Sequence, residues 1–247
     1  MKNRLPLLIV SVIIIIITKS SIYAQTTPSY PLLIGDTVPT FKAATSQGIM
    51  YFPGDYQGKW KILFSHPGDF TPVCTSELLE FALMQDDFNA LQCELIGLSV
   101  DGYDSHMDWI ASMENLEYKG HKGIQIRFPI ISDVRMDISR MFGMVHPHSM
   151  STRTVRAVYI IDPSNVVRAI LYYPQTVGRN MEEIKRLLIA LQAVDRYNIS
   201  TPASWEPGDD IIVSSPQTKE AAEWREKASA NGILRCLDWY FCFTSLP

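Results

Sequence analysis

The chain has 247 residues, of which 47% are hydrophobic, 19% charged and 11% aromatic, with a formal net charge of −4. This is a globular composition, neither that of a disordered chain nor of a low-complexity one. The mild acidity provides no basic patch, so no nucleic-acid partner is expected.

In chain order, Lys2 and Arg4 precede an apolar run over residues 5–17, and Ser21-Ile-Tyr-Ala24 offers small residues before Gln25. This pattern predicts a secretory signal peptide over 1–24. The run is shorter than the about 20 residues of a membrane span, although an uncleaved anchor is the alternative reading. An exported, periplasmic or secreted protein is therefore expected, with no stable membrane insertion after cleavage. Residues 25–31 read as a polar leader. Short apolar runs at 61–65 and 95–100 predict buried strands, and 75–89 and 104–114 predict helices, the second with Asp104 as a candidate N-cap. An apolar stretch follows at 128–131, then a short helix over 137–142 ending at Gly143. Residues 157–161 and 166–172 flank Asp162-Pro-Ser-Asn165 and predict a hairpin. Asn180 caps a helix whose Ile184, Leu187, Leu188, Leu191 and Val194 follow the 3.6-residue period. Alternating strands and helices followed by a hairpin predict an α/β fold with a mixed sheet covered on both faces. Beyond Tyr197 the chain is irregular, with a strand at 211–213, a helix over about 218–230 and an aromatic segment over 235–243. These residues read as an arm that packs on something, a second subunit being one candidate.

The chemistry concentrates in Phe64-Ser-His-Pro-Gly-Asp-Phe-Thr-Pro-Val-Cys74. This segment leaves a buried strand and opens a helix. A cysteine in the first turn of a helix faces unpaired N–H groups and the positive end of the macrodipole, which favour the reactive thiolate. Pro67 and Pro72 stiffen the loop. Thr71 puts a hydroxyl where it can meet both thiolate and substrate.

Pro67-Gly-Asp-Phe-Thr71-Pro-Val-Cys74 resembles the peroxiredoxin motif Pro-x-x-x-Thr-x-x-Cys. Phe64-Ser-His66, the stretches 96–101, 128–133 and 155–162, Tyr172-Tyr-Pro174, Gly178-Arg-Asn180 and Thr201-Pro-Ala-Ser-Trp205 resemble the branch that contains the 1-Cys enzymes. The resemblance runs from about Leu32 to the C-terminus. It implies a thioredoxin-like fold, organised as a peroxidase domain over 32–195 and a C-terminal dimerisation arm over 196–247. It also implies reduction of hydrogen peroxide and organic hydroperoxides. Cys74 would be the peroxidatic cysteine, attacking the terminal peroxide oxygen to give a sulfenic acid. Thr71 would orient the peroxide and Pro67 would shield the intermediate. Arg156 would supply fixed positive charge to the thiol and to the leaving oxygen. His66 either polarises the peroxide or caps the strand, and Arg179 either adds charge to the pocket or serves the following helix. His146 and His148 read as loop residues. No metal and no cofactor is implied.

Four cysteines in so long a chain are too sparse for a disulfide scaffold. Cys93 reads as a core residue. Cys236 and Cys242 depart from a strict 1-Cys enzyme and resemble the C-terminal pair of microbial members of the same branch. In those, the second cysteine resolves the sulfenic acid as a disulfide with a partner subunit, and the first exchanges with it. On that resemblance Cys242 is the resolver and Cys236 its helper; a structural Cys236–Cys242 bridge is the alternative. The resemblance further implies a thioredoxin-like electron donor and dimers that assemble to decamers, with a holdase chaperone as the competing class. A disulfide oxidoreductase would need Cys-x-x-Cys, and Glu77 stands at the partner position. The Gly-x-Ser-x-Gly-like site through which some relatives hydrolyse phospholipids has no match in spacing.

Overall fold

The computed structural model describes residues 31–145 and 152–246. The predicted signal peptide, His146 and His148 lie outside the described residues.

The chain begins with a hairpin, β1 (Phe41–Thr45) and β2 (Gly48–Phe52). Its alternating burial is a period-2 pattern that the sequence reading passed over, and the turn closes where Thr45 Oγ1 donates to the Gly48 carbonyl at 2.9 Å. Strand β3 (Trp60–Ser65) follows, buried at all six positions. That is the mark of a central strand covered on both faces. It leads into α1 (Pro72–Leu83) and α2 (Gln85–Ala90), where one helix over 75–89 was expected. The break falls at Met84, whose N–H bonds the Glu80 carbonyl as the cap of α1, while its own carbonyl accepts from Phe88 in α2. Asp86 and Asp87 suit the new N-terminus by charge.

Next come β4 (Cys93–Ser99) and α3 (Tyr103–Glu114). The N-cap of α3 is Gly102, without a side-chain cap, so Asp104 is corrected from cap to first-turn residue, where its charge still suits the helix dipole. A two-residue ribbon, β5 (Glu117–Tyr118) and β6 (His121–Lys122), precedes β7 (Ile130–Ser132) and the short α4 (Asp137–Met141). The expected hairpin is present as β8 (Arg156–Ile161) and β9 (Val167–Tyr173). Asn180 caps α5 (Met181–Tyr197), its side chain accepting from the N–H groups of Glu182 and Glu183.

Seven strands form one sheet in the order β2-β1-β7-β4-β3-β8-β9. Strand β3 runs parallel to β4 and antiparallel to β8, and β4 runs parallel to β7, so the sheet is mixed as expected. Alternate side chains feed two cores. Ile62, Phe64 and Leu95 pack with Leu78 and Phe81 of α1, Trp109 of α3 and Ile184 and Leu188 of α5. Leu63, Ile96 and Leu98 pack on the other face with Phe52, Ile138 and Phe142.

Beyond α5 the chain makes a separate small sheet. Strand β10 (Ile211–Val213), helix α6 (Lys219–Ala230), β11 (Arg235–Asp238) and β12 (Phe241–Thr244) follow, with the strands ordered β10-β12-β11. The aromatic segment of the sequence is thus a hairpin. Among the described residues, no helix is long and apolar enough to cross a membrane.

Candidate active site

The loop between β3 and α1 reverses through Phe70, whose φ of 54° is left-handed. A bulky residue there costs of order 1–2 kcal/mol, which the surrounding structure must offset. Thr71 is the N-cap of α1 in extended conformation, and Pro72 fills the first helical position, where a missing N–H costs nothing. Cys74 therefore sits in the first turn and is fully buried.

Arg156 opens β8, the neighbour of β3. Its Nη1 donates to Cys74 Sγ at 3.3 Å and to Glu77 Oε2 at 2.7 Å. Its Nε and Nη2 both donate to the Gln175 carbonyl, at 3.0 and 2.7 Å. The guanidinium plane is thereby held from its far edge and has only Nη1 to offer the thiol.

Glu77, three residues after Cys74 on α1, is shared by two arginines. Arg179 donates to it from Nε at 3.0 Å, from Nη2 at 2.7 Å and from its backbone N–H at 2.8 Å. The remaining Arg179 donor, Nη1, goes to the Ser65 and Ala157 carbonyls. Expected to bind substrate or add charge to the pocket, or to serve the following helix, Arg179 has each side-chain nitrogen engaged within the protein, because burial leaves a guanidinium no option but internal acceptors, and its charge stays beside Cys74. Desolvation lowers its pKa, and the Glu77 carboxylate opposes that shift.

Thr71 Oγ1 donates to the Gly68 carbonyl at 2.9 Å. Its hydroxyl is thus tied to the loop rather than to Cys74. Pro67 is buried in the same loop.

His66 is fully buried at the end of β3. Its Nε2 lies 3.0 Å from Asp69 Oδ1, and the other carboxylate oxygen lies 2.8 Å from His106 Nδ1 and accepts from Ser105 Oγ at 2.8 Å. Burial lowers the His66 pKa, offset in part by Asp69. Burial alone would raise Asp69, but the hydrogen bonds from His106 and His66 override it and hold the carboxyl below the usual range. His66 Nδ1 has no hydrogen-bond partner. The ring lies 5.1 Å from that of Trp109. Ligand atoms of His66, Asp69 and Asp101 lie within 4.8 Å of one another. Asp101 Oδ2, however, already accepts from the Asp69 N–H and Ser99 Oγ, so these groups form a hydrogen-bond network.

Sequence reasoning missed Glu77, Asp69, His106 and Gln175. Glu77 alone carried a usable signal, a charge one turn after the cysteine on the same helix face. His106 and Gln175 reach the site only through the fold.

Of the other cysteines, Cys93 is a free, buried thiol, and burial raises its pKa. Cys236 and Cys242 face each other across β11 and β12 and form a disulfide, one of the two arrangements left open by the sequence.

The arrangement sets a free thiol against a buried guanidinium, which suits thiol chemistry. The class is that of thiol-dependent oxidoreductases built on a thioredoxin-like sheet. Residues 34–170 match the AhpC/TSA family, and residues 190–229 match the C-terminal domain of 1-Cys peroxiredoxin. A peroxiredoxin of Methanosarcina mazei is 52% identical over 211 residues, covering 85% of this chain and 96% of its own. One of Nanoarchaeum equitans is 42% identical over 226 residues, covering 87% and 99%. Among solved structures, a yeast mitochondrial 1-Cys peroxiredoxin superposes with a TM-score of 0.75 at 35% identity, covering 87% of this chain and 100% of its own. A cysteine-to-serine mutant of peroxiredoxin 6 of Arenicola marina gives 0.76 at 32% identity, covering 87% and 99%. The chain belongs to the peroxiredoxin family, and it is a thiol peroxidase, an oxidoreductase.

Proposed function

We propose that Cys74 is the nucleophile and that it reduces hydrogen peroxide and organic hydroperoxides by a two-electron displacement. The thiolate attacks the terminal peroxide oxygen, the O–O bond breaks, and the alcohol or water leaves after taking a proton. Cys74 is then a sulfenic acid. The observation that carries this reading is the 3.3 Å contact from Arg156 Nη1 to Cys74 Sγ. Charge balance supports it: Arg156, Arg179 and Glu77 together leave one uncompensated positive charge in a buried setting, and a thiolate on Cys74 neutralises it. Arg156 then stabilises charge developing on the oxygens. Pro67 and the Thr71-to-Gly68 bond stiffen the loop that leads to the thiol, and the Thr71 oxygen keeps lone pairs with which to accept from a peroxide. The bare Nδ1 of buried His66 is a second acceptor near the loop.

In the recycling half of the reaction, Cys242 of a partner subunit condenses with the sulfenic acid, forming a Cys74–Cys242 disulfide and releasing water. Cys236 then displaces Cys74 from that disulfide, and a thioredoxin-like dithiol reduces the resulting Cys236–Cys242 bridge. The coexistence of that bridge with a free Cys74 thiol matches the last intermediate of this sequence. Exposed Phe70, Tyr103 and Met107 near the active-site loop suit association of copies into dimers and decamers. The signal peptide over 1–24 directs the protein out of the cytoplasm, and its donor is accordingly an exported thioredoxin-like protein.

Non-reducing mass spectrometry after one equivalent of hydrogen peroxide tests the scheme. A Cys236→Ser variant is expected to accumulate an intersubunit Cys74–Cys242 disulfide. Accumulation of Cys74 sulfinic acid without any disulfide would remove the resolving role, and a Cys74→Ser variant that still consumed peroxide would remove the nucleophile.

A further inference from the structure

The two sulfurs of the arm disulfide are not equivalent. Cys242 is fully buried, packed with Ala228 of α6, Leu234 and Val213. Cys236 is partly exposed and lines a cleft of about 640 Å³ between α6 and the β11–β12 hairpin, with Pro216, Ala222, Glu226, Asp238 and Trp239. Thiol–disulfide exchange requires the incoming thiolate to reach one sulfur from the side opposite the bond that breaks, so accessibility selects the sulfur attacked. We propose that the donor enters this cleft, that its thiolate attacks Cys236 Sγ, and that Cys242 is the leaving thiol. The inference rests on the recycling role proposed above for the pair and names its point of entry.

Electrons and protons balance along this route. The donor thiolate forms a mixed disulfide with Cys236 as the Cys236–Cys242 bond breaks. The electron pair goes to Cys242, which takes up a proton. The second thiol of the donor, as its thiolate, attacks the donor sulfur of the mixed disulfide, closes the donor's own disulfide and releases Cys236 as the thiolate. The leaving group is received where it forms: Cys242 Sγ lies 3.5 Å from the Asp238 carbonyl, an acceptor for the new S–H. A buried sulfur with a carbonyl at hand suits the neutral thiol, and a sulfur on a cleft wall suits the mixed disulfide.

The cleft is lined in part by Arg225 of α6, which is 5% exposed. It donates from Nη1 to the Trp239 carbonyl at 3.2 Å and from Nη2 to the Val213 carbonyl at 3.1 Å and to the Ser214 carbonyl. These bonds fasten the helix to both neighbouring strand ends. Trp239, at the cleft wall, is 69% exposed, a large apolar surface left to water in the isolated chain. A protein donor presenting its dithiol on a loop would cover that ring, and a small thiol would not, so the exposed ring beside an accessible disulfide suits a dithiol protein as occupant.

The test is to trap the first exchange. Wild-type protein carrying the Cys236–Cys242 disulfide is mixed with a thioredoxin whose second active-site cysteine is serine, and the adduct is mapped by peptide mass spectrometry. The adduct is expected on Cys236, with Trp239→Ala slowing its formation about tenfold while reaction with glutathione keeps its wild-type rate. An adduct on Cys242, no adduct at all, or an unchanged rate in Trp239→Ala would overturn the proposal. The glutathione rate also reports whether Trp239→Ala preserves the hairpin, and the wild-type mapping needs no variant. Failure of the recycling role is read separately: it is the absence of a Cys74–Cys242 disulfide in Cys236→Ser after peroxide, whatever sulfur the trap finds in the wild type.

Discussion

Arg156 Nη1 donates to Cys74 Sγ at 3.3 Å although 82 residues separate the two in the chain. The contact exists because β3, which delivers the loop of Cys74, pairs antiparallel with β8, which Arg156 opens. Arg156→Lys keeps a charge but loses the plane anchored on the Gln175 carbonyl. Its rate constant for peroxide reduction is expected to fall about a hundredfold, read by stopped-flow peroxide consumption. A variant as fast as wild type would show that the fixed fork is unnecessary.

Glu77 is the hinge of the buried charges. Glu77→Gln leaves Arg156 and Arg179 buried with no carboxylate between them. Removing one partner of a buried ionic set costs about 3–5 kcal/mol, which chemical denaturation will report as a lower midpoint. Peroxidase activity is expected to fall as well, since Arg156 loses its second anchor.

Acid should weaken the fold in two stages. His66 has its pKa lowered by burial from an ordinary 6.5. As the pH falls below about 6.5, the unfolded chain takes up this proton and the folded chain does not, so stability declines by up to about 1.4 kcal/mol per pH unit. Asp69, with a lowered folded pKa, holds its contribution above its ordinary value of 3.8 and loses it as the pH falls below that. Denaturation midpoints from pH 8 to pH 3 should show both stages, and His66→Gln should flatten the upper one and shrink the lower, because it also removes one of the groups that hold Asp69 low.

Cys93 is a spectator. Its buried thiol has a raised pKa, so peroxide and alkylating agents should leave it unmodified in the native protein. Cys93→Ala is expected to keep wild-type peroxide kinetics at a stability cost of about 1 kcal/mol, and sulfenic-acid labelling should find only Cys74.

The proposed nucleophile was legible because its signals are local. A proline-stiffened loop between a buried strand and a helix places Cys74 in a first turn whatever the rest of the chain does. The strand at β3, the β8–β9 hairpin and the Asn180-capped helix were legible for the same reason, since each follows from the period or cap of its own residues. The break at Met84 was not, because a helical pattern running through residues 75–89 carries no mark of the direction the chain must take to reach β4.

What only the tertiary structure decided is partnership. Arg179, read as a charge for the pocket or for the following helix, directs every side-chain donor to Glu77 and two carbonyls. Thr71 bonds the loop, and His66 joins a network whose other members lie on the same loop, at the end of β4 and on α3. Cys236 and Cys242, six positions apart, differ in exposure because α6 covers one and leaves the other beside a cleft. Residue type and spacing determine what a side chain is able to do. Which acceptor a buried donor finds, and which sulfur a donor can reach, depends on contacts between segments that sequence period does not encode.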